Sequence, residues 1–252
     1  MTDAFVVALQ ALAPTTLEAI DAGASLQTRV DRKYVVTSAV VVDLIDRFEG
    51  AVLDIDGVRE FEYQTTYYDT PGLDLYLDTA RRRPKRFKAR VRTYLDSGLT
   101  MIEIKTRNGR GKTVKHRLGY EGETEDLDDA VRGMVDTHVD TDLTERLAPS
   151  LVTSFTRTTL LGAGGASRCT IDRSLQAVAP DGAVVSPPIV IIESKTSGGI
   201  GAVDRRLWHR GIRPTPISKY CTSLAAIHPD LPANHWHQTL QRHFAVPAAV
   251  WP

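Results

Sequence analysis

Arg86-Phe87-Lys88-Ala89-Arg90-Val91-Arg92-Thr93-Tyr94-Leu95 places a base at every even position from 86 to 92, with mostly apolar or small residues between. A strand repeats every two residues. Arg86, Lys88, Arg90 and Arg92 therefore share one face, and Phe87, Ala89, Val91 and Leu95 the other. The next run, Leu99–Arg107, alternates in the same way: Met101, Glu103, Lys105 and Arg107 against Ile102, Ile104 and Thr106. Asp96-Ser97-Gly98 marks the turn between them. The two oily sets share a face only if residue numbers paired across the hairpin sum to an odd number. That requires a two- or four-residue loop, or a bulge. A third strand is expected over 113–120, with Lys115 and Arg117 on one face.

Outside this hairpin, strand and helix signals alternate along the chain. Residues 26–36 read as a strand in which Arg29, Asp31 and Lys33 oppose Val30, Arg32 and Tyr34. Thr37 or Ser38 then opens a helix with Val41, Leu44, Ile45 and Phe48 at helical spacing, and Gly50 is expected to stop it. Residues 61–68 are aromatic and Thr-rich, a strand turned by Asp69-Thr70-Pro71-Gly72. Further strands are expected over 151–161, 168–178 and 189–196. Helices are expected over 2–12, 73–79, 131–147, 203–210, 218–227 and 235–244. Short turns join most strands, which predicts an α+β fold whose antiparallel sheet is closed or nearly closed, with helices outside. With neither an internal repeat nor a low-complexity linker, 1–252 reads as a single domain.

The composition is that of a globular protein: 252 residues, 42% hydrophobic and 25% charged, which excludes disordered, collagenous and disulfide-scaffold classes. No apolar run approaches the roughly 18–20 residues of a membrane helix. No basic segment opens the N-terminus as in a secretory signal. Cys169 and Cys221 are far apart, which predicts reduced thiols, no structural zinc and a cytoplasmic location.

Charge is neutral in total, 31 bases against 31 acids, but segregated along the chain. Residues 81–117 carry fourteen Lys/Arg against Asp96 and Glu103, and 121–145 carry ten acids against Arg132. A row of like charges on one strand face is tolerable on a solvated surface. Other strands repeat the pattern, however. Asp31 and Lys33 alternate in the first, Arg157 marks one face of 151–161, Arg168 shares a face with Asp172, and Glu193 with Lys195. A barrel with a basic lumen and helices packed outside accounts for all of them. Such a lumen focuses positive potential and suits a polyanion, with phosphate the natural candidate. Gly111-Lys112-Thr113 imitates the end of a P-loop, but Thr106 stands where the pattern needs glycine and a strand follows. None of the seven histidines forms an H-x-x-x-H pair.

Taken in order, these motifs resemble the catalytic domain of the vacuolar transporter chaperone (VTC) polyphosphate polymerases, within the CYTH-like triphosphate tunnel superfamily. Arg29-x-Asp31-x-Lys33-Tyr34 is similar to the opening signature, and Tyr67-Tyr68-Asp69-Thr70 to the element that follows. Lys88-x-Arg90-x-Arg92-x-Tyr94 resembles the basic strand, and Ile102-Glu103-Ile104-Lys105-Thr106 the E-x-K strand. Lys112 and Lys115 match the next basic strand, and Phe155-x-Arg157 the Y-x-R strand. Arg168-x-x-x-Asp172, Glu193-Ser194-Lys195 and Ser218-Lys219-Tyr220 complete the series. Phe155 stands where the family often has Tyr, and Ser194 at a usually apolar position.

The resemblance covers 26–228 as the tunnel domain and leaves 229–252 as a C-terminal extension. It implies an eight-stranded antiparallel β-barrel tunnel, ATP and polyphosphate as substrates, and Mn²⁺ or Mg²⁺ as cofactor. It implies a catalytic, phosphate-contacting set of Lys33, Arg90, Arg92, Lys105, Arg157 and Lys219. It further implies phosphate binding by Arg86, Lys88, Lys112, Lys115, Lys195 and Ser218, metal binding by Glu193, and a supporting role for Glu103 and Asp31. The expected activity is transfer of the γ-phosphate of ATP to a growing polyphosphate chain. The alternatives are a tunnel triphosphatase and a non-catalytic polyanion-binding module. Arg29-x-Asp31-x-Lys33 replaces one carboxylate of the hydrolases' E-x-E-x-K strand with a base, which disfavours a two-metal hydrolase. No nucleic acid partner is expected, because base-stacking aromatics are not interleaved with the basic face. Glu193 and Glu103 could instead simply pair with neighbouring bases.

Overall fold

The computed structural model describes residues 3–24, 30–122, 128–139, 141–165 and 167–244. Arg29, the first residue of the expected opening signature, lies outside them, as do 245–252 of the expected extension. In chain order the described elements begin with α1 (Ala4–Gln10), β1 (Ala13–Thr15), α2 (Leu17–Ala24), β2 (Val30–Val36), α3 (Ser38–Asp46), β3 (Gly50–Leu53) and β4 (Phe61–Asp69). Next come α4 (Asp74–Ala80), β5 (Arg86–Tyr94), β6 (Leu99–Arg107), β7 (Thr113–Gly119) and α5 (Asp129–His138). The last are β8 (Ala148–Gly162), β9 (Ser167–Val178), β10 (Val184–Val185), β11 (Val190–Thr196), α6 (Ala202–His209), α7 (Lys219–Ile227) and α8 (His237–His243). The fold is α+β, and the strands pair antiparallel except for β1 with β3.

The chain divides into two compact units: Met1–Phe61 with Phe155–Leu175 and Pro187–Ile217, and Glu62–Ser154 with Gln176–Ser186 and Ser218–Pro252. In the first unit the strand order is β2-β11-β9-β8, and β3 also pairs with β8. Alternation sends Tyr34, Val36, Cys169, Ile171, Val190 and Ile192 to one face. There they join Leu160, α1, α3 and α6 in a single core. Tyr34 and Arg32 reach α6 with their polar ends: the Tyr34 hydroxyl donates to Asp204 Oδ1 at 2.7 Å, and Arg32 Nη1 to Oδ2 at 3.1 Å. Asp204 is wholly buried, so these bonds satisfy a carboxylate that would otherwise be costly to bury. They also fix the strand that carries Lys33. The Lys33 carbonyl is held in turn by the Thr215 N–H at 2.7 Å.

In the second unit the order is β8-β4-β5-β6-β7. The hairpin register pairs Arg86 with Arg107 and Tyr94 with Leu99, so paired numbers sum to an odd value across a four-residue loop, as its patterning requires. Phe87, Ala89, Val91, Ile102 and Ile104 pack with Leu75 of α4 and Val131, Met134 and Val135 of α5. The oily face lies under helices, and the basic face is the opposite one.

Some element boundaries differ from the sequence reading. Gly50 does not cap α3, which ends at Asp46. Instead Gly50 opens β3 opposite Gly162, where a Cβ would meet the Leu161 carbonyl oxygen at 2.2 Å. The expected helix over 131–147 stops at His138, and a separate 3-10 turn occupies Thr144–Arg146. Strands β1, β3 and β10 and helix α2 carry too few alternating residues to be read from sequence. Both cysteines are free thiols and buried. No described helix is long and apolar enough to cross a membrane.

Candidate phosphate-binding site

Register builds the basic face of the second unit row by row. Arg86 faces Arg107. Lys88, Lys105 and Lys115 form the next row, then Arg90, Glu103 and Arg117, then Arg92 and Met101. Strand β4 adds Tyr67 beside Arg90 and Thr65 beside Arg92. Glu103 is 1% exposed and lies amid four cations. Arg90 Nε donates to it at 2.7 Å and Arg117 Nε at 2.9 Å; Lys115 Nζ also bonds it, and Arg92 Nη1 stands 3.9 Å away. Burial alone would raise the Glu103 carboxyl, but Arg90, Arg92 and Lys115 hold it well below the usual carboxylate range. Burial lowers the Lys115 ammonium to about 7, against the pull of Glu103. Arg90 moves the other way: Glu103 outweighs the burial that would lower it.

Helix α7 contributes to the same unit. Ser218 is its N-cap, accepting from the Cys221 N–H at 3.3 Å and from Lys88 Nζ at 3.0 Å. Tyr220 stacks on Tyr67 with ring centroids 5.0 Å apart, and its hydroxyl donates to Asp69 Oδ2 at 2.6 Å. Ser150 Oγ donates to the Tyr67 carbonyl at 3.1 Å. Arg90 Nη1 donates to the Tyr67 hydroxyl at 3.4 Å. Burial would raise that phenol, yet Arg90, Arg92 and Lys219 hold it below its ordinary value. The three cations therefore act together on one buried oxygen.

The first unit has a polar face of its own. Lys33, Glu193 and Thr170 stand in one row, and Asp31, Lys195 and Arg168 in the next. Lys195 Nζ lies 3.1 Å from Glu193 Oε1. Glu193 is held far below the usual range: burial raises it, but Lys33, Lys195 and Arg157 prevail. Arg157 grips Asp172 through two bonds, Nε at 2.6 Å and Nη2 at 2.8 Å, and lies over the Phe155 ring. Thr170, directly opposite Glu193, is buried and its hydroxyl has no bonding partner.

The structure thus brings together Arg86, Lys88, Arg90, Arg92, Glu103, Lys105, Lys115, Ser218 and Lys219 in one unit. It groups Asp31, Lys33, Arg157, Glu193 and Lys195 in the other. Lys112 sits apart from the rows, exposed in the turn that Asn108 closes through its carbonyl and amide bonds. Three participants were not marked as site residues by sequence: Tyr67, Arg117 and Thr170. Parity could have found the first two, since Tyr67 and Arg117 alternate in step with Thr65 and Lys115. Nothing in the sequence marks Thr170.

Among the described residues no three His, Cys, Asp or Glu side chains cluster. The ionised Glu193 and the unbonded Thr170 hydroxyl opposite it fit a cation that arrives with most of its ligands, as magnesium-type ions do with phosphates. They do not make a protein cage.

The VTC domain model matches residues 28–228, and the chain belongs to that family. No curated protein matches the sequence. Similar solved structures include a protein from Hippeastrum described as a proposed adenylyl cyclase with a dominant triphosphatase activity. It is 13% identical, with 82% of this chain and 100% of that one covered and a TM-score of 0.47. A proposed adenylate cyclase from Vibrio parahaemolyticus is 14% identical, covering 73% and 84%, TM-score 0.41. A protein from Pyrococcus horikoshii is 13% identical, covering 76% and 93%, TM-score 0.44.

Proposed function

We propose that this protein is a polyphosphate polymerase. A terminal phosphate oxygen of the polymer attacks the γ-phosphorus of ATP, a new P–O bond forms, and the bond to the β-bridging oxygen breaks. ADP leaves with that electron pair. The observation that carries this reading is the face of β5, β6 and β7. Eight bases (Arg86, Lys88, Arg90, Arg92, Lys105, Arg107, Lys115 and Arg117) stand against the single acid Glu103. Phosphoryl transfer asks the protein mainly for positioning and for neutralisation of charge, and this face supplies both. Arginines suit bidentate phosphate contacts, and lysines act as point charges along a sliding chain. Arg90, Arg92, Lys105 and Lys219 hold phosphates, with Lys88, Ser218, Lys115, Arg86 and Lys112 along the polymer.

Family resemblance assigns Lys33, Arg157 and Lys195 to phosphate, with Asp31 in support. Glu193, with the Thr170 hydroxyl, would hold a Mn²⁺ or Mg²⁺ ion. Held there, it would supply Lewis-acid neutralisation of charge on the transferred phosphoryl group.

The test is incubation with ATP and Mn²⁺, with separate assays for ADP, free phosphate and polyphosphate. ADP together with polyphosphate is the expected result. ADP with free phosphate alone would make the protein a triphosphatase. Tight polyphosphate binding without turnover would make it a binding module.

A further inference from the structure

The base-rich face does not end where the sheet ends. Strand β5 begins at Arg86 and β6 ends at its partner Arg107, and the segments flanking this end carry Arg81, Arg82, Arg83, Lys85, Arg110 and Lys112. All six are exposed. Among the described residues, no carboxylate lies within ion-pair distance of any of them, or of Arg86 and Arg107. Asp78 is the acid whose field reaches Arg81, Arg83 and Arg86.

Two features argue that this end is built and not a random run of solvated charge. Arg86 and Arg107 oppose each other directly, a like-charge pairing that weakens a sheet; burial and then Arg107 lower the Arg86 guanidinium. Arg82 adopts a left-handed φ of 55°, sparsely populated outside glycine, and its guanidinium is fastened to His235 Nδ1 at 2.7 Å. The Arg86 side chain is turned back onto its own loop, Nη1 donating to the Arg83 carbonyl. The loop is thereby held in a set shape with its charges outward.

The row from Arg92 to Arg86 covers six residue steps, about 20 Å of strand. A triphosphate is shorter than that row, whereas a long polymer lying along it must run off one end. We propose that Arg81, Arg83, Lys85 and Arg110, at the Arg86–Arg107 end of the sheet, form a second anion-binding surface that holds the distal phosphates of a long polyphosphate chain. This inference rests on the polyphosphate reading above and adds length discrimination to it. The surface contributes nothing to short phosphates, and its contribution to long ones is steeply salt-dependent, because each neutralised phosphate releases counterions.

The test uses the full chain and the triple variant Arg83→Gln, Lys85→Gln, Arg110→Gln, none of which lies on the sheet rows. Tripolyphosphate and long-chain polyphosphate are titrated at several salt concentrations. The triple variant should bind tripolyphosphate within about twofold of wild type and long-chain polyphosphate at least about tenfold more weakly, with the log–log salt slope reduced by about 2. The charge-retaining variant Arg83→Lys, Lys85→Arg, Arg110→Lys should keep long-chain affinity, which separates charge from folding. Equal affinity of the Gln variant and wild type for long chains overturns the proposal, as does an equal loss for both ligands. Wild-type preference for single-stranded RNA or phosphatidylserine vesicles over long polyphosphate would assign the surface to another partner and also overturn it. If wild type binds neither phosphate ligand, the polyphosphate reading itself fails. If it binds both but does not favour the longer, only the second surface fails.

Discussion

Glu103→Gln isolates the electrostatics of the basic face. The amide keeps the size of the side chain and one carbonyl acceptor, but removes the charge that Arg90, Arg92, Lys115 and Arg117 share. Removing one partner of a buried ion pair costs about 3–5 kcal/mol, because the other charge stays buried. Here Arg117 keeps 52% side-chain exposure, so water takes over much of its solvation, and Lys115, already lowered to about 7 by burial, can shed its proton. The cost falls mainly on Arg90 and Arg92, and the lower end, about 3 kcal/mol, applies. At about 2–4 °C per kcal/mol for a chain of this length, thermal unfolding should drop by about 6–12 °C. Bound phosphate supplies the missing anion, so tripolyphosphate should raise the variant's Tm by more than it raises that of wild type. The acid side carries a further signature. The folded carboxyl lies below its ordinary 4.5, so its contribution is present above that pH and is lost as pH falls toward the lowered value. The variant should lack that acid-side loss. Differential scanning fluorimetry with and without tripolyphosphate, over a range of pH, measures all three. An unliganded variant within about 2 °C of wild type, or a ligand shift no larger than wild type's, refutes the reasoning.

Lys115 should make stability rise with pH on the alkaline side. Burial holds it to about 7 in the folded protein, so between there and its ordinary 10.5 the unfolded chain binds more protons, and stability climbs through that window. Lys115→Met should flatten the slope, and equal slopes in both proteins refute the assignment. Bound polyphosphate should return the proton, seen at about pH 8 as heats that depend on buffer ionisation; buffer-independent heats count against it. Glu193→Gln should cut transfer by about 10²-fold or more if that carboxylate holds the metal. Polyphosphate binding in chelator should stay the same or tighten. Near-normal turnover removes the metal role, and loss of binding and turnover with an intact fold assigns Glu193 to orienting Lys33 and Lys195.

The hairpin was legible because period-two alternation and the parity of its register are local properties. Arg86, Lys88, Arg90, Arg92 and Lys105 fell on one face from numbering alone, and Lys115 and Arg117 on one face of the next strand. That Glu103 would have bases as neighbours followed from the same parity. The two-unit arrangement was not legible, because each unit is assembled from segments far apart in the chain, such as β2 with β11. The Asp204 anchor was hidden for the same reason: it lies 170 residues from Tyr34 and looks like an ordinary helix-start acid. Thr170 is invisible to pattern because an unbonded hydroxyl is a fact of packing and not of spacing. The expected run-on of α5 to Leu147 failed because acidic composition says nothing about where backbone bonding stops.

The two polar faces differ in how their charges are already answered. In the first unit, Lys33, Arg157, Arg168 and Lys195 face Asp31, Asp172 and Glu193, a net excess of one positive charge, with Arg157 and Lys195 already engaged by carboxylates. An anion arriving there must compete with those carboxylates, which favours orientation over raw affinity. In the second unit eight bases meet one acid, an excess of seven, and rows such as Lys88–Lys105–Lys115 set like charges side by side. Such rows oppose folding, so the opposite side of the same strands must offset them. Val91, Ile102 and Ile104 are fully buried there beneath α4 and α5. Burying each of these side chains contributes about 1.5–3 kcal/mol, more than the roughly 0.2–1 kcal/mol by which a directly opposed like-charge pair weakens a sheet. The hydrophobic face thus permits the basic one, and a bound polyanion would relieve the repulsion left on that face. Alternation in β5 and β6 therefore encodes both the stability of the unit and its concentrated positive charge, on opposite sides of one sheet.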